Sequence, residues 1–421
     1  MKRFLILIAI ASAAVLPAIL VRSMHWTLQP VLSTAVFGVA VLAAGFMLSW
    51  GAEAAESRIS QGLILAIVAL LTVLPEYAVD MYYAFQAGQY PQSKYVHYAA
   101  ANMTGANRLL IGLAWPLIGI LYWWRTRQRA LELAEVNSIE VGFLLLASSY
   151  AFVIVMKNSI GWIDAIFLIA LYFMYLRKVS GLPKADDAED EDDEPGPAAA
   201  LNSLGQTAQW LWMTGLAVVA GAVIFLSAEP FAEAIVASGR LLGMDEFLLI
   251  QWLAPLASEA PAVVIAVLFV SSGRAAVALT TLISDKINQW TLLVGMLPLA
   301  MSVGAANLMQ LPLDARQHEE FFLTAAQSLF GVSLLIRLRF GLAACLALVV
   351  LFVVQIFFAL MYQHQPERVI TVLTTMGWLY VLLALVNFAL HASDFKKILV
   401  DIFSAKTARP GLVPQRQAED E

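Results

Sequence analysis

Apolar residues occur along the chain in long runs separated by short polar segments, and none of these runs alternates apolar with polar positions as a membrane strand does. Such a run crosses a hydrocarbon layer of about 30 Å as a helix, which satisfies its own backbone polar groups in lipid. The pattern predicts an all-α polytopic protein of the lipid bilayer with about 12 transmembrane helices. The predicted spans cover residues 4–22, 31–50, 59–86, 96–124, 139–157, 161–177, 208–229, 246–270, 275–305, 319–336, 340–362 and 369–391.

Composition and charge support this prediction. The chain is 61% hydrophobic and 13% charged, whereas a soluble protein is about 45–50% apolar and about 25% charged. Alternating the spans from a cytoplasmic N-terminus places most of the 25 basic residues in cytoplasmic loops. We therefore expect both termini to be cytoplasmic and the protein to lie in the plasma (inner) membrane. Arg108 and Lys286 fall within predicted spans instead.

A polar segment divides the chain into two halves. Residues 186–194 are almost all acidic and are flanked by prolines, a composition that cannot bury enough apolar surface to fold alone. We expect an extra N-terminal helix in residues 1–30, a first repeat in 31–180, an acidic cytoplasmic linker in 181–207, a second repeat in 208–362, and an extra C-terminal helix with a tail in 363–421.

Each half contains a carboxylate beside a proline within an apolar run, at Glu76 and at Glu259. An ionised side chain at the bilayer centre costs about 2.5–3.5 kcal/mol, so such residues indicate a functional site. Proline interrupts the helix and frees carbonyl oxygens, which can coordinate a cation together with hydroxyl and carboxylate oxygens. The candidate ligands in these two segments are Thr72, Glu76, Asp80, Ser258 and Glu259.

A second segment of small and polar residues follows each predicted helix break. The first contains Asn102 and Asn107, and the second contains Asp285. Small residues allow helices to approach closely, and polar ones donate hydrogen bonds across the contact. The break near Glu76 lies in the third span and the break near Glu259 in the eighth, which run in opposite directions. This arrangement predicts two inverted repeats that meet at the membrane midplane.

These segments resemble motifs of the cation/calcium exchanger superfamily, over residues 31–362. Its sodium/calcium exchangers have Gly-Thr-Ser-x-Pro-Glu and Gly-Asn-x-x-Gly-Ser-Asn in each repeat. Residues 71–76, Leu-Thr-Val-Leu-Pro-Glu, are similar to the first motif, and residues 101–107, Ala-Asn-Met-Thr-Gly-Ala-Asn, to the second. In the second repeat, Glu259 precedes Pro261 instead of following it. The resemblance implies a ten-helix exchanger core with one extra helix at each end.

Two basic residues distinguish this chain from that pattern. Alignment of residues 106–108 with residues 284–286 places Arg108 opposite Lys286. We interpret both as charge-compensating residues near the expected ion ligands. The two positive charges offset part of the negative charge of four carboxylates, those of Glu76, Asp80, Glu259 and Asp285. Little excess negative charge remains, and this weakens the interpretation of the site as a calcium site. We hypothesise that both cations neutralise carboxylates in the empty carrier. Lys286 is the better candidate for a moving proton, because arginine does not lose its own.

The sequence therefore predicts a secondary active cation antiporter that uses no cofactor, with Na⁺, Ca²⁺ or H⁺ as the transported ions. Asp80 either ligates an ion or pairs with Arg108, and Asn102 and Asn107 are either ligands or interhelical hydrogen-bonding groups. The alternative is a membrane scaffold or sensor whose exchanger site is locked by internal salt bridges. We predict no enzymatic activity, because no nucleophile with a base and no cofactor loop is recognisable.

Overall fold

The computed structural model describes residues 1–55, 73–180 and 197–403. Thr72 and the acidic segment 186–194, both named above, lie outside the described residues.

Helices make up nearly all of the first half. They are α1 (Lys2–Ser23), α2 (Pro30–Ala55), α3 (Leu74–Gln89), α4 (Tyr95–Leu109), α5 (Trp115–Thr126), α6 (Ser138–Lys157) and α7 (Trp162–Ser180), with the two-residue to three-residue strands β1 (Ala130–Glu132) and β2 (Ser159–Ile160). A π-helical segment, Leu110–Ala114, joins α4 to α5 without a break.

The second half contains the same kinds of element. Its helices are α8 (Gln206–Leu242), α9 (Glu246–Ser271), α10 (Ala275–Asn288), α11 (Val294–Ala305), α12 (Ala315–Leu335), α13 (Leu342–Met361), α14 (Pro366–Leu390) and α15 (Ala392–Phe403), with strands β3 (Leu311–Pro312) and β4 (Arg339–Gly341). A second π-helical segment, Gln289–Leu293, joins α10 to α11.

The predicted all-α polytopic membrane fold is confirmed. Within the described residues, nine helical stretches are long and apolar enough to cross a membrane. The helix α12 does not meet that criterion, because buried polar side chains lie along it: Gln317, Glu320, Thr324, Gln327 and Ser328. Polar residues buried in a membrane helix face other helices, so α12 belongs to the interior of the bundle.

Two antiparallel strand pairs show that the halves are inverted. Strand β1 pairs with β4, and β2 pairs with β3. Helix α6 separates β1 from β2 by its 20 residues, about 30 Å, so the two pairs lie at opposite ends of the bundle. By chain order, β1 in the first half corresponds to β3 in the second. These equivalent strands therefore lie at opposite ends, as expected for inverted repeats.

The π-helical segments give another register for aligning the halves. They begin at Leu110 and Gln289, and superposing these starts sets Asn107, not Arg108, opposite Lys286. This register differs by one residue from our sequence overlay. The overlay matched the two basic residues to each other, whereas this register follows the backbone irregularity that comes after them.

The helix break that we predicted near Glu259 is absent. Helix α9 continues through both Pro255 and Pro261. Pro255 has no N–H to donate to the carbonyl of Gln251, and this oxygen lies against Gly105 of α4, where an added Cβ would be 1.8 Å away. The consequence of this proline is a close contact between α9 and α4. In the first half, α3 begins at Leu74 with Pro75 in its first turn.

Candidate functional site

Glu76 and Glu259 lie together in the centre of the bundle, on α3 and α9, which belong to opposite halves. The Nε2 atom of Gln289 donates to Oε2 of Glu76 at 3.0 Å and to Oε1 of Glu259 at 2.7 Å. All three side chains are buried. Gln289 is the first residue of the second π-helical segment, which turns its amide toward both carboxylates. One amide nitrogen thus bridges the two halves at their acidic residues.

Asp80 lies one turn beyond Glu76 on α3 and pairs with an amide. The Nδ2 atom of Asn102 donates to Oδ1 of Asp80 at 2.8 Å, and both residues are fully buried. Oδ2 of Asp80 and Oδ1 of Asn102 have no hydrogen-bond donor among the described residues. Of the two alternatives given by the sequence for Asp80, pairing with Arg108 is not found.

Arg108 instead pairs with Glu320 of α12. Its Nη2 atom lies 2.5 Å from Oε2 of Glu320, and both side chains are 2% exposed. The same carboxylate oxygen accepts from Nε2 of Gln251 at 2.9 Å, and the guanidinium lies 5.0 Å from the ring centre of Trp252. The side chain of Arg108 therefore extends from α4 to helices of the other half, where a dedicated carboxylate neutralises it.

Lys286 contacts the other half through neutral oxygens. Its Nζ atom donates to the main-chain oxygen of Asn107 at 2.7 Å and to Oδ1 of the same residue at 2.6 Å. The Nδ2 atom of Asn107 is occupied by the carbonyl of Met103 at 2.9 Å. Lys286 is fully buried. Its side chain thus links α10 to α4 between residues that the inverted repeats relate to each other.

Ser258 and Asp285, two further predicted ligands, are buried near this centre. The hydroxyl of Ser258 donates to the carbonyls of Ala254 and Pro255 on its own helix. Oδ2 of Asp285 has no hydrogen-bond partner among the described residues, and its carboxylate interacts electrostatically with Glu259. The structure therefore brings Glu76 and Glu259 into one site, with Asp285 beside it, and leaves Ser258 hydrogen-bonded within α9.

The Arg108–Glu320 ion pair changes the charge balance of the site. Because Glu320 neutralises Arg108, only Lys286 remains to offset the carboxylates of Glu76, Asp80, Glu259 and Asp285. The centre is therefore more negative than the sequence count indicated. Among the described residues, no three acidic, histidine or cysteine side chains converge closely enough to hold a metal by themselves. A cation between Glu76 and Glu259 would need amide, carbonyl or water oxygens as well.

Sequence reasoning missed Glu320, Gln251 and Gln289. Glu320 lies at the start of the predicted span 319–336, where an acidic residue is expected to lie at the membrane–water interface. A usable signal was the stripe of polar residues along α12, from Glu320 through Thr324 to Gln327, spaced to share one helix face. Gln289 is uncharged and gives no comparable signal, and its importance follows from the π-helical segment that it begins.

A family model described as sodium/calcium exchanger protein matches residues 28–179 and 212–361. The crystal structure of the H⁺/Ca²⁺ exchanger CAX superposes with a TM-score of 0.88 at 38% sequence identity, covering 96% of this chain and 98% of that one. A search of curated protein sequences returned no match.

Two more distant structures share the fold alone. The structure of native YfkE has a TM-score of 0.59 at 17% identity, covering 83% of this chain and 97% of that one. A structure of the sodium-calcium exchanger NCX_Mj, soaked with Na⁺ and Sr²⁺, has a TM-score of 0.53 at 17% identity, covering 78% and 99%.

Proposed function

The chain belongs to the sodium/calcium exchanger protein family, and we propose that it exchanges Ca²⁺ for protons by alternating access at the site of Glu76 and Glu259. The observation that carries this proposal is the amide of Gln289, which bridges one carboxylate from each half. The relative at 38% identity is named an H⁺/Ca²⁺ exchanger, which favours protons over Na⁺ as the coupling ion.

The geometry supports a divalent cation at this place. Ca²⁺ takes six to eight oxygen ligands at about 2.3–2.6 Å. Oxygens of Glu76 and Glu259 that are held by one nitrogen at 3.0 and 2.7 Å are close enough to ligate one such ion. Buried like charges at this separation need a cation or protons to neutralise them. Calcium and protons would therefore compete for the same two carboxylates.

Gln289 would assist the exchange through its amide. Its nitrogen faces the carboxylates, while Oε1 has no hydrogen-bond partner among the described residues. Rotation of the amide by half a turn would replace the donor with an oxygen. The same side chain could then donate to the carboxylates when the cation is absent and ligate the cation when it is bound.

The test is calcium uptake into liposomes that contain the purified protein. An outward proton gradient should drive uptake, and Glu76→Gln or Glu259→Gln should reduce it by about 100-fold or more, because loss of one charged ligand of a buried cation costs several kcal/mol. Glu229→Gln is the matched control, since Glu229 is half exposed and pairs with Arg22. This variant should transport normally.

Parallel assays separate the competing functions. Uptake driven by a Na⁺ gradient but not by a proton gradient would replace the proposed coupling ion. Absence of flux under every gradient, from protein that is monodisperse and correctly inserted, would favour the scaffold or sensor with a locked site.

We further propose that the end of the bundle that carries the N-terminus faces the cytoplasm of a plasma (inner) membrane. Basic residues collect at this end, as short cytoplasmic loops require. They include Lys2, Arg125, Arg127, Lys178, Lys396 and Lys397. Labelling of single cysteines introduced at Arg125 and at Lys94, which lies at the opposite end, should distinguish the two sides in intact cells.

A further inference from the structure

The ammonium group of Lys286 occupies a position built from oxygen atoms of the other half. Its Nζ atom donates to the main-chain oxygen of Asn107 at 2.7 Å and to the side-chain oxygen of the same residue at 2.6 Å. The ring of Trp290 lies 5.1 Å from the same atom. Lys286 and Asn107 are both fully buried. The oxygens of Asn107 therefore coordinate the ammonium away from the protein surface.

These ligands are those of a metal cation site. Carbonyl and amide oxygens coordinate hard cations in proteins, and rings of backbone carbonyls replace the hydration shell of monovalent cations in channels. The amide of Asn107 is fixed in the required orientation, because its Nδ2 atom donates to Met103. The oxygen of Asn107 would therefore face the same point if Lys286 were shorter.

The position of Lys286 in the repeats supports this interpretation. The π-helical segments align it with Asn107, so the second half has an ammonium where the first half has an amide. Lys286 also interacts electrostatically with Glu76 and Glu259. Arg108 forms an ion pair with a carboxylate, whereas the hydrogen-bond acceptors of Lys286 among the described residues are the neutral oxygens of Asn107. The charge of Lys286 thus contributes to the central site.

We propose that Lys286 is a resident cation that fills a monovalent-cation position at Asn107 and so excludes one transported ion from the site. The site of this chain then binds one monovalent cation fewer than it would bind if residue 286 were neutral. Shortening the side chain should open the position to Na⁺.

Binding of ²²Na⁺ to purified protein tests this without any transport. Lys286→Ala and Lys286→Asn should each bind about one Na⁺ more per protein than the wild type, because the oxygens of Asn107 become available to a hard cation. The added binding should disappear in Lys286→Ala combined with Asn107→Ala. Lys94→Ala is the control for loss of a lysine, since the side chain of Lys94 is 67% exposed, and it should bind Na⁺ as the wild type does.

Two results would overturn the proposal. Folded Lys286 variants could bind no additional Na⁺, or the additional binding could persist after Asn107→Ala. A further comparison does not require a Lys286 variant to fold. The wild type and Asn107→Ala should bind the same amount of Na⁺, and weaker Na⁺ binding by Asn107→Ala would also overturn the proposal. This proposal rests on the proposed exchange function. Because Na⁺ binding at Asn107 is measured separately from calcium flux, either proposal can fail without the other.

Discussion

Arg108 and Lys286 are both buried cations in the middle of the bundle, yet their surroundings differ. Arg108 forms an ion pair with Glu320 and packs on Trp252. Lys286 donates only to the two oxygens of Asn107 among the described residues. The charge of Arg108 is cancelled where it lies, so this residue ties α4 to α12. The charge of Lys286 has no such partner and acts on the central carboxylates.

Breaking the ion pair should have the largest effect on stability. Glu320→Gln leaves the guanidinium of Arg108 buried without a counter-charge, and removal of one partner of a buried pair costs about 3–5 kcal/mol. The free energy of unfolding in mixed micelles measures this. Glu319→Gln is the control on the same helix. Glu319 accepts a hydrogen bond from the hydroxyl of Thr374 at 2.7 Å and lies 3.8 Å from the ring of its neighbour His318, and its replacement should cost about 1 kcal/mol. Equal losses would show that the ion pair does not hold α12.

Removing the charge of Lys286 should destabilise the protein less. Lys286→Met keeps the length of the side chain, and the only oxygens that lose a hydrogen-bond donor among the described residues are the two neutral ones of Asn107. Loss of hydrogen bonds to a charged group costs about 1.5–3 kcal/mol. The same unfolding measurement applies, and a loss as large as that of Glu320→Gln would contradict the contrast between the two cations.

Gly105 tests how the first half positions Arg108, one turn further along α4. An added Cβ at Gly105 would meet the carbonyl of Gln251 at 1.8 Å, so Gly105→Ala must push α4 away from α9, at a cost of about 1–3 kcal/mol. Gly221→Ala on α8 is the matched control, because no described atom lies within 4 Å of its added Cβ. The control should be neutral or slightly stabilising. Thermal unfolding of both variants gives the comparison.

An exposed ion pair should matter least. Arg22 and Glu229 lie 2.6 Å apart with side chains 48% and 50% exposed, and such pairs contribute about 0–1 kcal/mol. Arg22→Ala should therefore change the unfolding free energy by less than about 1 kcal/mol. A loss comparable to that of Glu320→Gln would mean that burial does not decide the strength of these pairs.

Much of the fold could be predicted from the sequence because lipid imposes a simple rule on helices. Apolar length defines the spans, and a charge within a span is costly enough to be noticed, as at Glu76, Glu259, Arg108 and Lys286. The predicted span 319–336 coincides with α12, although buried polar groups lower the hydropathy of this interior helix.

The parts of the site that could not be predicted from the sequence depend on contacts between segments that are distant along the chain. The partner of Arg108 lies 212 residues away in the numbering, at Glu320, and no local pattern connects the two. The π-helical segments change the register of the halves and determine the role of Gln289. Pro255 looks like a helix break until Gly105 is found against the carbonyl that it frees.

The strand pairs have a mechanical consequence. Strands β1 and β4 fasten the two halves at one end of the molecule, and β2 and β3 fasten them at the other. The helices that these strands flank are thereby joined to one another at both ends of the bundle. Helices α2 and α8 are flanked by no strand among the described residues and pack most extensively on each other. If the proposed exchange occurs by alternating access, we expect this long pair of helices to slide along the helices that the strands join.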